Sequence, residues 1–398
     1  MSMKSRREYL ANARERYYRA KTRSQKSQII DEVVTTLGYA RKYAITVLRH
    51  PPKSTARRVS KPRRRKYQAA MSVIQVVWEA LDYPCAERLH PVLLSTAEQL
   101  AQHGEITLTE PVRQELAQIS RATLARRIAA WQKPSARKFS TRSKPLSKLR
   151  SEIPVDTYHW DENRPGALEI DLVEHNGGSS IGHFAYTISV VDVVTGYSRR
   201  RAILGRSQRA VLDALQRILD EWPYPVWGLH TDNGAEFINN HLLQFTKQRG
   251  LQFTRSRPYK KNDNAHVEQK NRALVREIVG YARYDTPQHV DWLNTVYGWL
   301  DVYANACLPI RKIIRKRREG SKVRKWFDEA RTPLQRFLER DILSTDVRHA
   351  WAAWAYNLNP LQIHHQLETL LRLGPDGAIT ATPPEPFPQL PRKEGQIV

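Results

Sequence analysis

The sequence has only two cysteines, Cys85 and Cys307, far apart and without a CxxC pair. That excludes a zinc finger or zinc knuckle, whose ligands come in close local spacing, and equally a disulfide framework. A reducing compartment fits such a chain. Long apolar runs are missing as well: no stretch approaches the roughly 18 residues of a membrane span, so none is expected. The opening MSMKSRREYLANARERYY has no apolar segment of the kind a signal peptide needs, so none is expected there either. Negative charge is scarce: 40 Asp and Glu face 65 Lys and Arg, a formal net charge of +25. An excess of this size calls for a polyanionic partner, nucleic acid first. It is uneven, because the segment up to Asp156 carries 32 basic and 13 acidic residues, net +19.

What is present reads as soluble and globular, with 40% hydrophobic residues in 398, enough for roughly two to four domains. In QKSQIIDEVVTTLGYARKYAITVLR, residues 25–49, Ile29, Ile30, Val33, Val34 and Leu37 recur at helical spacing, and Ala44, Val47 and Leu48 do so again beyond Gly38. Two short helices about a glycine turn make a helix-turn-helix pattern, with Arg41, Lys42 and Tyr43 where a recognition helix meets DNA. An ordinary helical hairpin has the same pattern. Residues 51–67 form a basic, proline-containing linker whose Arg63, Arg64 and Arg65 could track a DNA backbone. The segment TLTEPVRQELAQISRATLARRIAAW suggests a second helix-turn-helix: Thr109 and Ser120 as N-caps, Val112, Leu116, Ile119, Leu124 and Ile128 facing inward, and Arg121, Arg126 and Arg127 facing phosphates. A second basic linker follows.

From Tyr158 the pattern changes. GALEIDLVEHNGG reads as a strand, and HFAYTISVVDVVTGYSRRRAIL as two strands joined at Thr195-Gly196. Residues 207–222 are an amphipathic helix, PVWGLHTD a strand, NNHLLQFTKQRG a helix stopped at Gly250, LQFTRSRP a strand, and DNAHVEQKNRALVREIVGYAR one long helix. The expectation is a mixed α/β sheet covered on both faces. The organisation follows: helix-turn-helix 1–50, linker 51–67, second helical domain 68–132, linker 133–156, core 157–285, mainly helical region 286–372 with the basic run 310–325, and a Pro-rich, extended or disordered tail 373–398.

Three acids stand out: Asp171 in a strand, Asp232 ending a later strand, and Glu268 early in the long helix. Each alone has a bland reading, as an edge-strand polar residue, a DNG turn and half of a helix-surface ion pair. Together they can converge on one sheet edge, because the 35 residues between Asp232 and Glu268 hold a helix, a strand and a helix start. Converging carboxylates need cations, and hard oxygen donors suit Mg²⁺ or Mn²⁺. Asp192, Glu174 and Glu236 lack this placement, and His230 reads as a packed histidine.

This order resembles the DDE catalytic core of retroviral integrases and bacterial insertion-sequence transposases, with HTDNGAEF, RPYKKNDNAHVEQKNR and REGSKVRKWFDEARTPLQRFLE as the similar stretches. The likeness covers roughly residues 160–340. It implies a ribonuclease-H-like fold and a site with two Mg²⁺ or Mn²⁺ ions, Asp171 binding both, Asp232 one and Glu268 the other. Asn264 and Arg272, four residues either side of Glu268, are expected to touch DNA near the cut, and Lys260 and Lys261 to contact phosphate. The implied partners are double-stranded DNA, both terminal inverted repeats and target, and further copies of the chain; an accessory ATPase stays open, and the place of action is the bacterial cytoplasm and nucleoid. A zinc-binding amino-terminal module, as in retroviral integrases, is excluded by the cysteines. Two alternatives remain: a nuclease that cuts without joining, and a non-catalytic helix-turn-helix regulator.

Overall fold

The structure, a computed structural model, describes residues 1–50, 66–131, 164–232, 234, 236–237, 239–256, 265–319, 322–340, 343–377 and 382–384. Arg63, Arg64, Arg65, Lys260, Lys261 and Asn264 lie outside them, as do most of both linkers and of the Pro-rich tail. The chain forms two compact units, Met1–Lys66 and Tyr67–Val398.

The first unit has three helices, α1 (Met3–Arg19), α2 (Arg23–Leu37) and α3 (Arg41–Arg49). Thr22 and Gln25 close a capping box at the start of α2, satisfying amides that have no helical partner. Gly38 ends α2 in the left-handed region at φ 68°, a conformation that costs a side-chain-bearing residue more, and returns its N–H to Val34. Two helices about a glycine turn are therefore present, as the spacing predicts. Helix α1 was not expected, although Leu10, Ala13 and Tyr17 repeat at helical spacing and are the residues it buries. They complete a small core with Ile29, Ile30, Val33, Leu37, Ala44 and Leu48.

In the second unit, helices α4 (Met71–Ala80), α5 (Ala86–Gln102), α6 (Glu110–Gln118) and α7 (Arg121–Ala129) precede the sheet. Val112, Leu116, Ile119, Leu124 and Ile128 are buried as the helical spacing requires, and Ser120 caps α7 through the amide of Thr123. Thr109 occupies the N-cap position of α6 without a side-chain capping bond.

The sheet has the order β3-β2-β1-β4-β5, built from β1 (Ala167–Glu174), β2 (Ala185–Asp192), β3 (Ser198–Leu204), β4 (Gly228–Thr231) and β5 (Gln252–Arg255). β1, β2 and β3 run antiparallel in sequence, and β1, β4 and β5 run parallel, so β1 sits at the centre. The parallel crossovers are α8 (Gln208–Asp220) and α9 (Asn240–Gln248). Alternation divides β1 between two cores. Leu168 and Ile170 pack with Ile188, Val190, Leu215 and Ile218 on one face. Val173 packs on the other with Leu274, Val275, Trp292 and Leu293.

That second face is covered by α10 (Ala265–Asn271), a π-helical turn at Arg272–Arg276, α11 (Glu277–Val279) and α12 (Pro287–Val302), which passes into another π-turn, Tyr303–Cys307. The single long helix expected after the third acid is thus broken in hydrogen-bond pattern. Glu277 returns its amide to Arg272, five residues back, and the side chains of Arg272 and Glu277 meet at 3.3 Å. The HNGGSS segment and the residues after it are gathered by Arg283, whose guanidinium donates to the carbonyls of Asn176, Ser179, Ile181 and His183.

The remaining elements are β6 (Ile313–Glu319), β7 (Lys322–Phe327), α13 (Pro333–Leu338), α14 (Thr345–Tyr356) and α15 (Pro360–Leu373). The region is mainly helical, but its basic run forms an antiparallel hairpin of β6 and β7 rather than a helix. Helix α15, the turn before it and the Tyr303–Cys307 turn join helices α4–α7 to the layer that covers the sheet. Gln99 donates to the carbonyls of Ala355 and Leu358, Tyr303 donates to the carbonyl of Ala80 at 2.8 Å, and Leu361 enters the core of α4–α7.

Candidate active site

The site lies on the sheet face under α10. In the parallel register Ile170 pairs with Thr231, so Asp171 and Asp232, each the next residue, stand side by side at the carboxyl end of β4. Adjacent strands lie about 4.8 Å apart, close enough for two carboxylates to repel strongly. Asp171 Oδ1 accepts from the Leu172 amide at 2.9 Å, and Oδ2 accepts from the Asn271 side-chain amide at 2.7 Å. Asp232 Oδ1 accepts from the Gly234 amide at 2.9 Å.

Glu268 is exposed in the first turn of α10. Its charge reaches Asp171, whose pKa is raised to about 7, first by burial and then by Asp232 and Glu268. Asp232 is raised as well, first by burial and further by Glu236. Asp232 and Glu268 are thus each in electrostatic reach of Asp171, while among the described residues no three acid or imidazole side chains close around a single point as ligands. The donor set is all oxygen and anionic, the chemistry that suits a hard divalent cation, and the repulsion that raises Asp171 is what such a cation would relieve.

Two contacts fix α10 over β1, and neither was anticipated. Glu169, fully buried two residues before Asp171 and on the same strand face, accepts from the Val267 amide at 2.8 Å. Asn271, one helical turn beyond Glu268, holds Asp171 as described, while its own buried carbonyl oxygen has no hydrogen-bond partner among the described residues. The only sequence signal for Glu169 is an acid at an alternating inward position of an apolar strand. Arg276, in the π-turn, stacks on Tyr281 at 4.8 Å and lies in electrostatic reach of Asp171.

The other acids separate by environment. Asp192 is buried and accepts from the amides of Gly166, Val194 and Thr195 and from the Thr195 hydroxyl, so it locks the β2–β3 turn against the start of β1. Glu174 pairs with Arg206 at 3.6 Å. Glu236 differs, because it folds over Gly234, where an added Cβ would lie 2.7 Å from its carboxyl carbon, and bears on Asp232. His230 is packed, as expected, between the hydroxyls of Thr254 at 2.8 Å and Ser256 at 3.2 Å.

The described DNA-contact candidates also divide. Arg41 is held by Asp31 and by the Ser27 hydroxyl, which fixes the turn between α2 and α3. Lys42, Arg121 and Arg126 are exposed and Arg127 partly so, with Arg126 folded back onto Ala122 and Thr123. Arg272 is 82% exposed beside Glu277.

Residues 161–261 match the family described as "Integrase core domain". That span covers β1 to β5 and holds Asp171 and Asp232; Glu268 follows it. The chain is 34% identical over 342 residues to the y4rM protein of Sinorhizobium fredii, covering 84% of this chain and 96% of that protein. It is 28% identical over 91 residues to the transposase for insertion sequence element IS904 of Lactococcus lactis, covering 23% of this chain and 35% of that one. The chain belongs to the integrase-core family, of the kind that insertion-sequence transposases carry.

Proposed function

We propose that the chain is a DNA transposase that hydrolyses a phosphodiester at each end of its element and joins the freed 3′-hydroxyl to target DNA. The observation that carries this reading is the side-by-side placement of Asp171 and Asp232 on parallel strands, with the Glu268 helix tied to the same sheet face through Glu169 and Asn271. Asp171, Asp232 and Glu268 are the residues that would hold Mg²⁺ or Mn²⁺, which when bound supplies charge neutralisation and a more nucleophilic oxygen. The chain's own residues do the rest. β1 and β4 set the separation of the two aspartates, Asn271 orients Asp171, and α10 carries Glu268 over the same sheet face. The helix-turn-helix elements and the basic surfaces hold DNA, and a synapse of two ends calls for more than one copy of the chain.

A strand-transfer assay tests the reading, with Mg²⁺ or Mn²⁺, labelled DNA carrying the ends of the encoding element, and a plasmid target. Joined product that disappears in Asp171→Ala, Asp232→Ala and Glu268→Ala is the expected result. Metal-dependent cleavage without joining would favour a nuclease, and end binding with no chemistry would leave a DNA-binding regulator.

A further inference from the structure

The β6–β7 hairpin has no place in the site just described, yet it is the most cationic regular element of the described chain. Residues 313–327, IIRKRREGSKVRKWF, hold seven Lys or Arg and one acid. The ladder sets cation against cation: Lys316 lies opposite Lys325, and Arg317 opposite Arg324. Directly opposed like charges destabilise a strand pair, and a two-stranded ribbon is marginal alone. Glu319 offsets this only in part, sharing its carboxylate between Arg317 at 3.5 Å and Arg324 at 3.2 Å.

The base of the ribbon is fixed while its length is exposed. Ile310 and Arg331 exchange backbone hydrogen bonds below it, Arg336 holds both Asp328 and the Ile310 carbonyl, and Lys312 donates to the carbonyls of Val193 and Val194 in the β2–β3 turn. Above that base the apolar side chains stay open: Ile314 is 68% and Val323 48% exposed. Arg315 lies 5.2 Å over the ring of Trp326, a flat cationic and aromatic surface. A rigidly based arm with opposed cations and open apolar residues matches a polyanion whose grooves also present apolar edges. The major groove of duplex DNA admits a ribbon of two strands.

We infer that the hairpin Ile313–Phe327 is a DNA-binding ribbon, an additional contact to duplex DNA outside both helix-turn-helix elements and outside the acid site. The inference rests on the reading of the chain as a DNA-processing enzyme, but it concerns binding and stands apart from the joining reaction. The phosphate contacts come from Arg317, Arg324 and Lys325, and Ile314, Val323 and Trp326 supply contact that carries no salt dependence.

The test uses full-length protein and a fluorescein-labelled random-sequence duplex, with binding followed by anisotropy across a salt series. The variant combining Arg317→Ala, Arg324→Ala and Lys325→Ala is expected to flatten the slope of log affinity against log salt by about 2 to 3, and to weaken binding roughly ten-fold or more at moderate salt. The charge-preserving pair Arg317→Lys and Arg324→Lys is expected to keep the wild-type slope, which separates a lost contact from a collapsed hairpin. An unchanged slope in the triple variant overturns the inference. So does an unchanged slope with an altered oligomeric mass by light scattering, which would make the ribbon a contact between copies. Wild-type protein that binds DNA but never joins ends would sink the transposase reading and leave the ribbon result standing.

Discussion

The buried carboxylate of Glu169 accepts the backbone N–H of Val267, at 2.8 Å, on the residue directly before Glu268. A residue of the central strand therefore sets the height of the helix that carries the third acid. Glu169→Ala is expected to depress joining far more than DNA binding, because the position of Glu268 is lost while the basic surfaces remain. Glu169→Gln keeps an acceptor oxygen and is expected to recover part of the rate. Joining assays and anisotropy on the same protein samples check this; equal losses in both would mean a global folding defect.

Asp171→Asn is expected to abolish joining and yet stabilise the metal-free protein. Burial and the two neighbouring acids raise the Asp171 pKa to about 7, so above that pH the native state holds a carboxylate at a cost. Sign follows from linkage: the native state binds the proton more tightly than the unfolded chain, so this contribution favours folding at low pH and is lost as pH rises from about 4 towards about 7. The substituted amide can be accommodated, because Asn271 has an unused buried carbonyl that an amide flip would present. Thermal denaturation at pH 8, with and without Mg²⁺, is the measurement. Mg²⁺ should raise the wild-type Tm and leave that of Asp171→Asn unchanged.

His175 works in the opposite direction. It is fully buried against the Thr187 hydroxyl at 2.7 Å, and burial, aided by Arg276, lowers its pKa to about 3. The unfolded chain therefore takes up this proton first, and stability falls as pH drops from about 6.5 towards 3, by about 1.4 kcal/mol per pH unit for one site. Urea titrations of wild type and His175→Gln across that window should converge as pH falls, since the variant lacks this term. Parallel curves would show that the ring is protonated in the folded state.

Asp301, on α12, binds the buried Arg200 of β3 through both its guanidinium and its backbone amide. Removing one member of a buried ion pair strands the other, so Asp301→Ala is expected to cost about 3–5 kcal/mol. A shift in the urea midpoint at unchanged slope would bear this out, and a loss below about 1 kcal/mol would mean that Arg200 finds water instead.

The sequence made the sheet legible for a local reason, whereas the three acids stood out only together, by their order and the resemblance it carries. Strand alternation and the stop at Asn233-Gly234 are short-range signals, and each acid sits at a strand or helix position that such signals mark. Glu169 and Asn271 escaped because their roles exist only across the β1–α10 contact; read locally, each is a polar residue in an apolar or helical run. Helix α1 was legible and passed over, since its three apolar positions are diluted by eight basic or acidic neighbours in MKSRREYLANARERYYR. The β6–β7 hairpin was not legible, because its cations mask the alternation that marks a strand, and its register is held from below by Asp328 and Arg336.

The seam between α15 and the amino-terminal helices has a consequence for how DNA is measured. Gln99 of α5 donates to the carbonyls of Ala355 and Leu358, Ala80 of α4 accepts from Tyr303, and Leu361 enters the core that these helices share with α6 and α7. On the proposed reading, in which α7 contacts DNA and the acids cut it, the base pairs that α7 contacts lie at one set distance from the severed bond, as on a ruler whose zero mark is β1. At about 3.4 Å per base pair, inserting a single pair between the two would move the cut by one pair rather than be absorbed.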